Sequence, residues 1–438
     1  MGAYFADLHI HSKYSRACSK SLSLENLEKY ARIKGLDLLG TGDFTHPLWL
    51  KELKENLKEK DGILYSKSGF KFILTGEISL MYTQGRGRRV HLVLLAPSFE
   101  VVGKINSYLD TKGRRDYDGR PIFKISCEQF TADMNMISKD IEIIPGHVWT
   151  PYFGVFGSMS GFDTLKEAFG RQLENIHAIE TGMSSDPEMN WHISELNNKA
   201  IVSFSDSHSF WPWRLGREAT IFLKIDSYQD IINAIRQNKI LGTVETDPAY
   251  GIYHFDGHKE CNFSSPPEET KKLKGICPIC KKNLTIGVET RVEELTDQAT
   301  DKNPNKKKYY KMLPLHEIIA LSNGSSLSSK KTWAVYNGLI EKFGNEFNIL
   351  LHVSKEELAK ALPENDLLVR LILENREGKI KVKPGYDGVY GQPLIEGVEV
   401  KVPENEAETC ETEKPKPNKK LNTKETKQKV KQKSLADF

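Results

Sequence analysis

The sequence predicts an α/β catalytic region over residues 1–250, built on a parallel sheet or barrel, then a small cysteine-bearing module and a mainly helical region. Three observations predict it. Short apolar runs alternate with helix-patterned stretches up to about residue 250, as in chained βα units. Histidines and acids recur at the ends of those apolar runs, where α/β folds assemble sites from many segments. Cys261, Cys277 and Cys280 crowd together in the next fifty residues, as metal ligands do.

Taken in order, Tyr4–Ile10 reads as a strand. Leu24–Lys34 carries apolar residues at helical spacing, with Ser23 as N-cap and Gly35 as its stop. Leu36–Gly40, Phe70–Thr75, Val90–Leu95, Glu142–Ile144, Ala178–Glu180 and Ala200–Phe204 read as strands. Leu48–Lys58, Ser126–Ser138, Leu165–Glu174, Pro187–Asn198 and Tyr228–Asn238 fit helices. Residues 251–300 hold the cysteines. Residues 301–402 mix helical patterns (Pro314–Ala320, Lys331–Phe343, Lys355–Ala361, Leu367–Glu374) with the Gly-rich stretch Lys383–Gly391. Over 403–438 the composition turns to Lys, Glu, Thr and Pro, with an acidic run from Glu404 to Glu413 before the lysines, and a disordered tail is expected.

Bulk properties exclude several classes. No run of 18 apolar residues suggests a membrane span, and the start lacks a signal-peptide pattern, so a cytoplasmic protein is expected. Six cysteines in 438 residues do not make a disulfide scaffold. A net charge of +3 does not by itself mark a nucleic-acid binder.

The chemistry lies in the strand-end residues. Asp7-Leu-His9-Ile-His11 puts two imidazoles at i and i+2, on one side of a strand, able to face one ion. Later ends supply Asp43, Glu77, His91, His147, Glu180, Asp206 and His208. Imidazole with carboxylate and no thiolate suits zinc, manganese or iron. Carboxylates shared between ions about 3.5–4 Å apart suit hydrolysis of a phosphoester.

The opening Asp-Leu-His-Ile-His-Ser and the later Ser205-Asp-Ser-His208 resemble the first and last motifs of the polymerase and histidinol phosphatase (PHP) superfamily. That resemblance implies a distorted (β/α)7 PHP barrel, followed here by a small zinc-binding module and a mainly helical C-terminal region. It implies two or three divalent metals (Zn, Mg or Mn). His9, His11, Glu77 and Asp206 would hold one, and Glu77, His91 and His147 a second. Asp43 and His208 would help hold a third, although the further histidine common in the superfamily is missing from Ser12–Cys18. Asp206, Glu77 and His147 would carry catalysis. Glu180 and His46 stand open as ligand, support or bystander.

His258-Lys-Glu-Cys261 and Cys277-Pro-Ile-Cys280 share a two-residue gap, the spacing of a structural zinc knuckle. His254 is an alternative to His258. The last residues, Gln432, Leu435 and Phe438, resemble the clamp-binding peptide of replication and repair proteins, which makes a DNA sliding clamp an expected partner.

Aromatic residues follow two of the motifs: Trp149, Tyr152 and Phe153, then Trp211 and Trp213. They are candidates to hold a base. Arg86, Arg88, Arg89, Lys112, Arg114 and Arg115 could track phosphates or sit in solvated loops. The segments Gly146–Gly154, Thr181–Pro187, His254–His258 and Lys383–Gly391 resemble the endonuclease Q family, archaeal DNA-repair enzymes, over residues 1–400. This implies a metal-dependent deoxyribonuclease acting as a monomer near the nucleoid. It would nick DNA 5′ of hypoxanthine, uracil, xanthine and abasic sites, leaving a 3′-hydroxyl and a 5′-phosphate. The rival readings are a small-molecule phosphatase such as histidinol phosphatase, and a non-catalytic DNA-binding scaffold.

Overall fold

Strand β1 (Tyr4–Asp7) follows the first apolar run, and everything at the site is built outward from it. The structure is a computed structural model and describes residues 2–304 and 306–395. The expected tail (403–438) and the clamp-binding residues Gln432, Leu435 and Phe438 lie outside the described residues.

The next strands are β2 (Leu38–Gly40), β3 (Lys58–Lys60), β4 (Ile63–Tyr65), β5 (Lys71–Gln84) and β6 (Arg86–Ala96). They are followed by β7 (Ile122–Phe123), β8 (Glu142–Pro145), β9 (Ala178–Glu180), β10 (Ala200–Val202), β11 (Ala219–Phe222) and β12 (Gly242–Glu245). Beyond them come β13 (Asp256–His258), β14 (Phe263–Ser265) and β15 (Lys308–Lys311).

Among the described residues, eleven strands form one sheet along the path β15-β12-β11-β1-β2-β5-β4-β3, with β6, β7 and β8 attached at β5 and β6. The alternation of strands and helices predicted a parallel sheet, and the sheet is mixed instead. β1, β2 and β5 are parallel. β5–β6, β6–β8, β1–β11 and β11–β12 are antiparallel. One reason lies at Gly85, whose φ of 69° turns β5 straight back into β6 as a hairpin. Arg86, Arg88 and Arg89 made this hairpin read as a loop. Arg88 is nonetheless buried, its guanidinium 4.0 Å from the Phe162 ring centroid. β9 and β10 form a separate parallel pair.

The helix Leu24–Lys34 forms as expected. Ser23 accepts the Asn26 amide and Gly35 closes the helix at φ 97°. Two expected helices are shorter. Leu165–Phe169 continues only as a 3₁₀ turn through Asn175, and Pro187–Asn190 ends where Asp297 takes the Ser194 amide.

Regions 1–250 and 301–402 share this sheet, because β15 pairs in parallel with β12. They also share a core, in which Leu27 of the first helix and Leu371 of the helix Asp366–Arg376 belong to one buried cluster. The C-terminal region is mainly helical, as expected.

Candidate active site

Sheet register explains how distant residues meet. Ser79 pairs with His91 across the β5–β6 ladder, and Glu77 lies two residues from Ser79 on the same face. The His91 carbonyl accepts the Gly146 amide, which sets His147 beside it just past β8. The first and last motifs are tied directly. The His11 amide donates to the Ser207 carbonyl at 2.9 Å. Asp7 accepts the Ser205 amide at 3.0 Å and the Gly216 amide at 2.9 Å. Asp43, His147 and Asp206 all sit at positive φ (46°, 29° and 46°), a strained conformation for side-chain-bearing residues and one that clusters at functional sites.

Two groups of ligand atoms converge there. In the first, His9, His11, Glu77 and Asp206 each offer one atom, all within 4.8 Å of one another. His11 Nε2 lies 3.0 Å from Asp206 Oδ1 and 3.3 Å from Glu77 Oε2. His9 Nε2 lies 3.5 Å from Asp206 and 3.6 Å from Glu77, and it is buried without a hydrogen-bond partner among the described residues. Ligand atoms about 2.1 Å from an ion at tetrahedral angles stand about 3.4 Å apart, so the donor set fits a divalent metal. In the second group Glu77 Oε1 lies 2.7 Å from His91 Nδ1 and 3.4 Å from His147 Nε2. Glu77 belongs to both groups.

The far nitrogens of the imidazoles are held as well. His9 Nδ1 is 2.8 Å from Glu180, His11 Nδ1 is 2.9 Å from Asp43, and His147 Nδ1 is 2.9 Å from Thr150 Oγ1. Such partners fix ring orientation and raise ligand basicity. Glu180 therefore stands behind the ligands. So does Asp43, which was expected to hold a third ion. Its Oδ1 is taken by His11, while Oδ2 accepts the Ser12 amide and the Ser12 and Ser15 hydroxyls. His208 sits at the mouth, its ring centroid 4.3 Å from that of His11, and joins neither group. His46 stacks on Tyr14, away from the ligands.

Electrostatics follow from burial and charge. Burial alone would lower His9 and His11, but Glu180 and Asp206 beside His9, and Asp43 beside His11, outweigh it and hold both well above the ordinary imidazole value. Burial would raise Glu77 and Asp206, but His91 and Arg120 hold Glu77 well below its ordinary value, and His9 does the same for Asp206. Burial takes His91 down to about 3, and burial with nearby His11 takes His208 to about 4.

Sequence reasoning missed Arg120. Its guanidinium donates to Glu77 Oε2 at 3.1 Å. The preceding residue, Gly119, packs against Asp43 and Ser15, where a Cβ would collide with Asp43 Oδ2 and Ser15 Oγ. Forty-three positions separate Arg120 from Glu77, and only the packing of that loop joins them.

The expected base-holding aromatics divide. Trp149 is wholly buried, with its indole N–H on Asn190 Oδ1 at 2.8 Å, so it is core and not a pocket wall. Tyr152 and Trp211 are partly exposed, at 38% and 37%. Phe153 packs on His91, ring centroids 4.3 Å apart. Trp211 stacks on Trp213 at 5.4 Å, and Trp333 of the C-terminal region meets both edge-on.

His258, Cys261, Cys277 and Cys280 form a third group of candidate ligands, their donor atoms within 4.8 Å of one another. His258 rather than His254 is the residue brought in. His254 Nε2 instead lies 3.5 Å from Glu289. Three thiols and one imidazole at this spacing fit a tetrahedral zinc.

Comparison with known proteins places the chain. Residues 314–379 match the family model described as the MJ0043 C-terminal domain. Uncharacterized protein MJ0043 of Methanocaldococcus jannaschii is 33% identical over 289 residues, 64% of this chain and 34% of that protein. The chain thus spans about a third of that relative's length. Uncharacterized protein YqxK of Bacillus subtilis is 26% identical over 413 residues, 90% of this chain and 99% of that one. The crystal structure of the lesion-specific endonuclease PfuEndoQ from Pyrococcus furiosus is 32% identical, with a TM-score of 0.81 over 90% of this chain and 96% of that one. Endonuclease Q in complex with a 27-mer duplex carrying an abasic lesion at its active site is also 32% identical, with a TM-score of 0.81 over 90% and 97%. At that identity and coverage, this chain belongs to the endonuclease Q family.

Proposed function

We propose that this chain is a metal-dependent DNA-repair endonuclease that nicks the phosphodiester 5′ of deaminated bases (hypoxanthine, uracil, xanthine) and of abasic sites. The observation that carries the reading is its likeness, over nine-tenths of both chains, to an endonuclease Q crystallised on an abasic duplex. The two ligand groups sharing Glu77 supply the hydrolytic centre that such a reaction needs. We read the sheet and its helices as the PHP-type barrel, and His258, Cys261, Cys277 and Cys280 as a structural zinc site.

His9, His11, Glu77 and Asp206 would hold one divalent ion, and Glu77, His91 and His147 another. Ions bound there supply an activated water and neutralise charge building on the scissile phosphate. The chain's own residues do the rest. Glu180, Asp43 and Thr150 keep the imidazoles aimed. Arg120 adds a fixed positive charge at the edge of the cluster, where a phosphate would enter. Tyr152, Phe153 and Trp211 offer aromatic surface to a flipped nucleotide, which leaves the stack cheaply when its pairing is already weak or absent. Gln432, Leu435 and Phe438 would tether the enzyme to a sliding clamp.

Labelled duplexes carrying one deoxyinosine, deoxyuridine or abasic site, incubated with Mg²⁺, Mn²⁺ or Zn²⁺, test the proposal. A single cut 5′ of the lesion, with 3′-hydroxyl and 5′-phosphate ends, is expected. Release of phosphate from histidinol phosphate with no nicking would overturn it in favour of a small-molecule phosphatase. Asp206→Asn should abolish nicking and leave lesion-DNA binding in place. Full activity in that variant would remove Asp206 from the centre.

A further inference from the structure

Immediately after the last metal motif, the turn Trp211–Arg217 carries two arginines, Arg214 and Arg217. The turn is rigidly placed, with the Arg214 and Leu215 amides donating to the Trp211 carbonyl and the Gly216 amide to Asp7. Arg217 reaches the Ser205 carbonyl at 3.2 Å, one residue before Asp206. Its Nε is shielded from solvent and has no hydrogen-bond partner among the described residues. No carboxylate of the described residues lies within ion-pair distance of either guanidinium, although other arginines, such as Arg88, Arg115, Arg236 and Arg291, each have one. Glu317 is near enough to sense both, but its Oε2 accepts the Tyr250 hydroxyl at 2.8 Å. Glu218 and Asp206 also lie near Arg217, yet none of these carboxylates is within ion-pair distance, so the two cations in this partly buried turn leave room for an anion that comes closer.

The Gly-rich stretch Lys383–Gly391 meets this place through Tyr390. Gly385 and Gly391 donate to the Ala249 and Tyr250 carbonyls, and a Cβ at Gly391 would strike the Ala249 carbonyl. That contact sets the Tyr390 ring 5.9 Å from the Arg214 guanidinium. Arginine forks match phosphate oxygens in pairs.

We propose that Arg214 and Arg217, walled by Tyr390, form a second phosphate subsite that grips the DNA strand at a phosphate next to the scissile one. It rests on the endonuclease reading. Gripping that neighbour fixes the strand's register, so that one bond only is presented to the metal ligands.

The test uses abasic duplexes in which each phosphate flanking the cut is replaced, one at a time, by an uncharged methylphosphonate. With the wild-type chain, one flanking position other than the scissile phosphate should cost about tenfold in kcat/KM, the worth of one charge-assisted contact. Arg214→Gln, a half-buried position whose loss the fold should tolerate, should cost a similar factor on the unmodified duplex, mainly in KM. It should add nothing on that one modified duplex. Arg214→Lys should fall between, and thermal melting of both variants should match wild type. Losses that multiply at every position, or an Arg214→Gln variant that cuts like wild type, overturn the subsite while the endonuclease reading stands. No cutting of any duplex by the wild-type chain overturns both.

Discussion

At the residue scale, the candidate centre is a set of imidazoles, three of which, His9, His11 and His147, are held at the nitrogen that faces away from the cluster. The nitrogen that faces the cluster is useful only because Glu180, Asp43 or Thr150 fixes the other. Glu180→Gln should therefore lower metal affinity by about 10–100-fold without touching a ligand. Metal content by mass spectrometry would show it, with nicking restored by excess ion. Unchanged affinity would make Glu180 a bystander. Gly119→Ala is a sharper test of packing. Its methyl would displace Asp43 and swing Arg120 away from Glu77, so nicking should fall at least tenfold while Tm drops by only a few degrees. Much of this centre was legible in the sequence, because i and i+2 on a strand and acids at strand ends are local patterns. Arg120 was not, since no pattern links it to Glu77. Neither was the burial of Trp149, whose neighbour Asn190 arrives from another segment.

At the element scale, the neighbouring strands β11 and β12 bring together a buried carboxyl pair, Glu218 just before β11 and Glu245 at the end of β12. Ser203 Oγ lies 2.6 Å from one and 2.9 Å from the other, and Thr181 donates to Glu245. Burial, then the neighbouring Glu218, pushes Glu245 well above its ordinary value, and burial raises Glu218 as well. The folded state thus keeps a proton where an unfolded carboxyl has lost it. Stability from this pair is complete below the ordinary Glu value of 4.5 and is lost as pH rises through the raised folded value. Glu245→Gln, which replaces the acid by a neutral amide, should raise Tm most at alkaline pH and flatten the decline there. A Tm profile parallel to wild type would show that the pair is not protonated in the fold. β11 and β12 went unread in the sequence.

At the scale of the whole molecule, the C-terminal region is part of the same body as the metal motifs. Lys34 of the first helix donates to Glu346 at 2.6 Å and to the Pro212 carbonyl at 2.7 Å, in the turn that carries Trp211 and Trp213. Glu346 also accepts the Tyr336 hydroxyl and the Leu315 amide. Glu346→Ala would leave Lys34 charged and buried, and should cost about 3–5 kcal/mol in chemical denaturation. A loss under about 1 kcal/mol would show that Lys34 finds water instead.

The sequence by itself determined the inventory of candidate ligands, the spacing of the cysteines, most helices and the family likeness, because these rest on short-range periodicity and residue chemistry. Only the tertiary structure separated Glu77, whose oxygens face both candidate ligand groups, from Asp43, whose oxygens are taken by His11, Ser12 and Ser15. It also decided the mixed sheet, the core position of Trp149, and the meeting of Arg214 with Tyr390. Each of these depends on contacts between segments far apart in the chain, whose cost and reward are set by packing and burial rather than by neighbours in sequence.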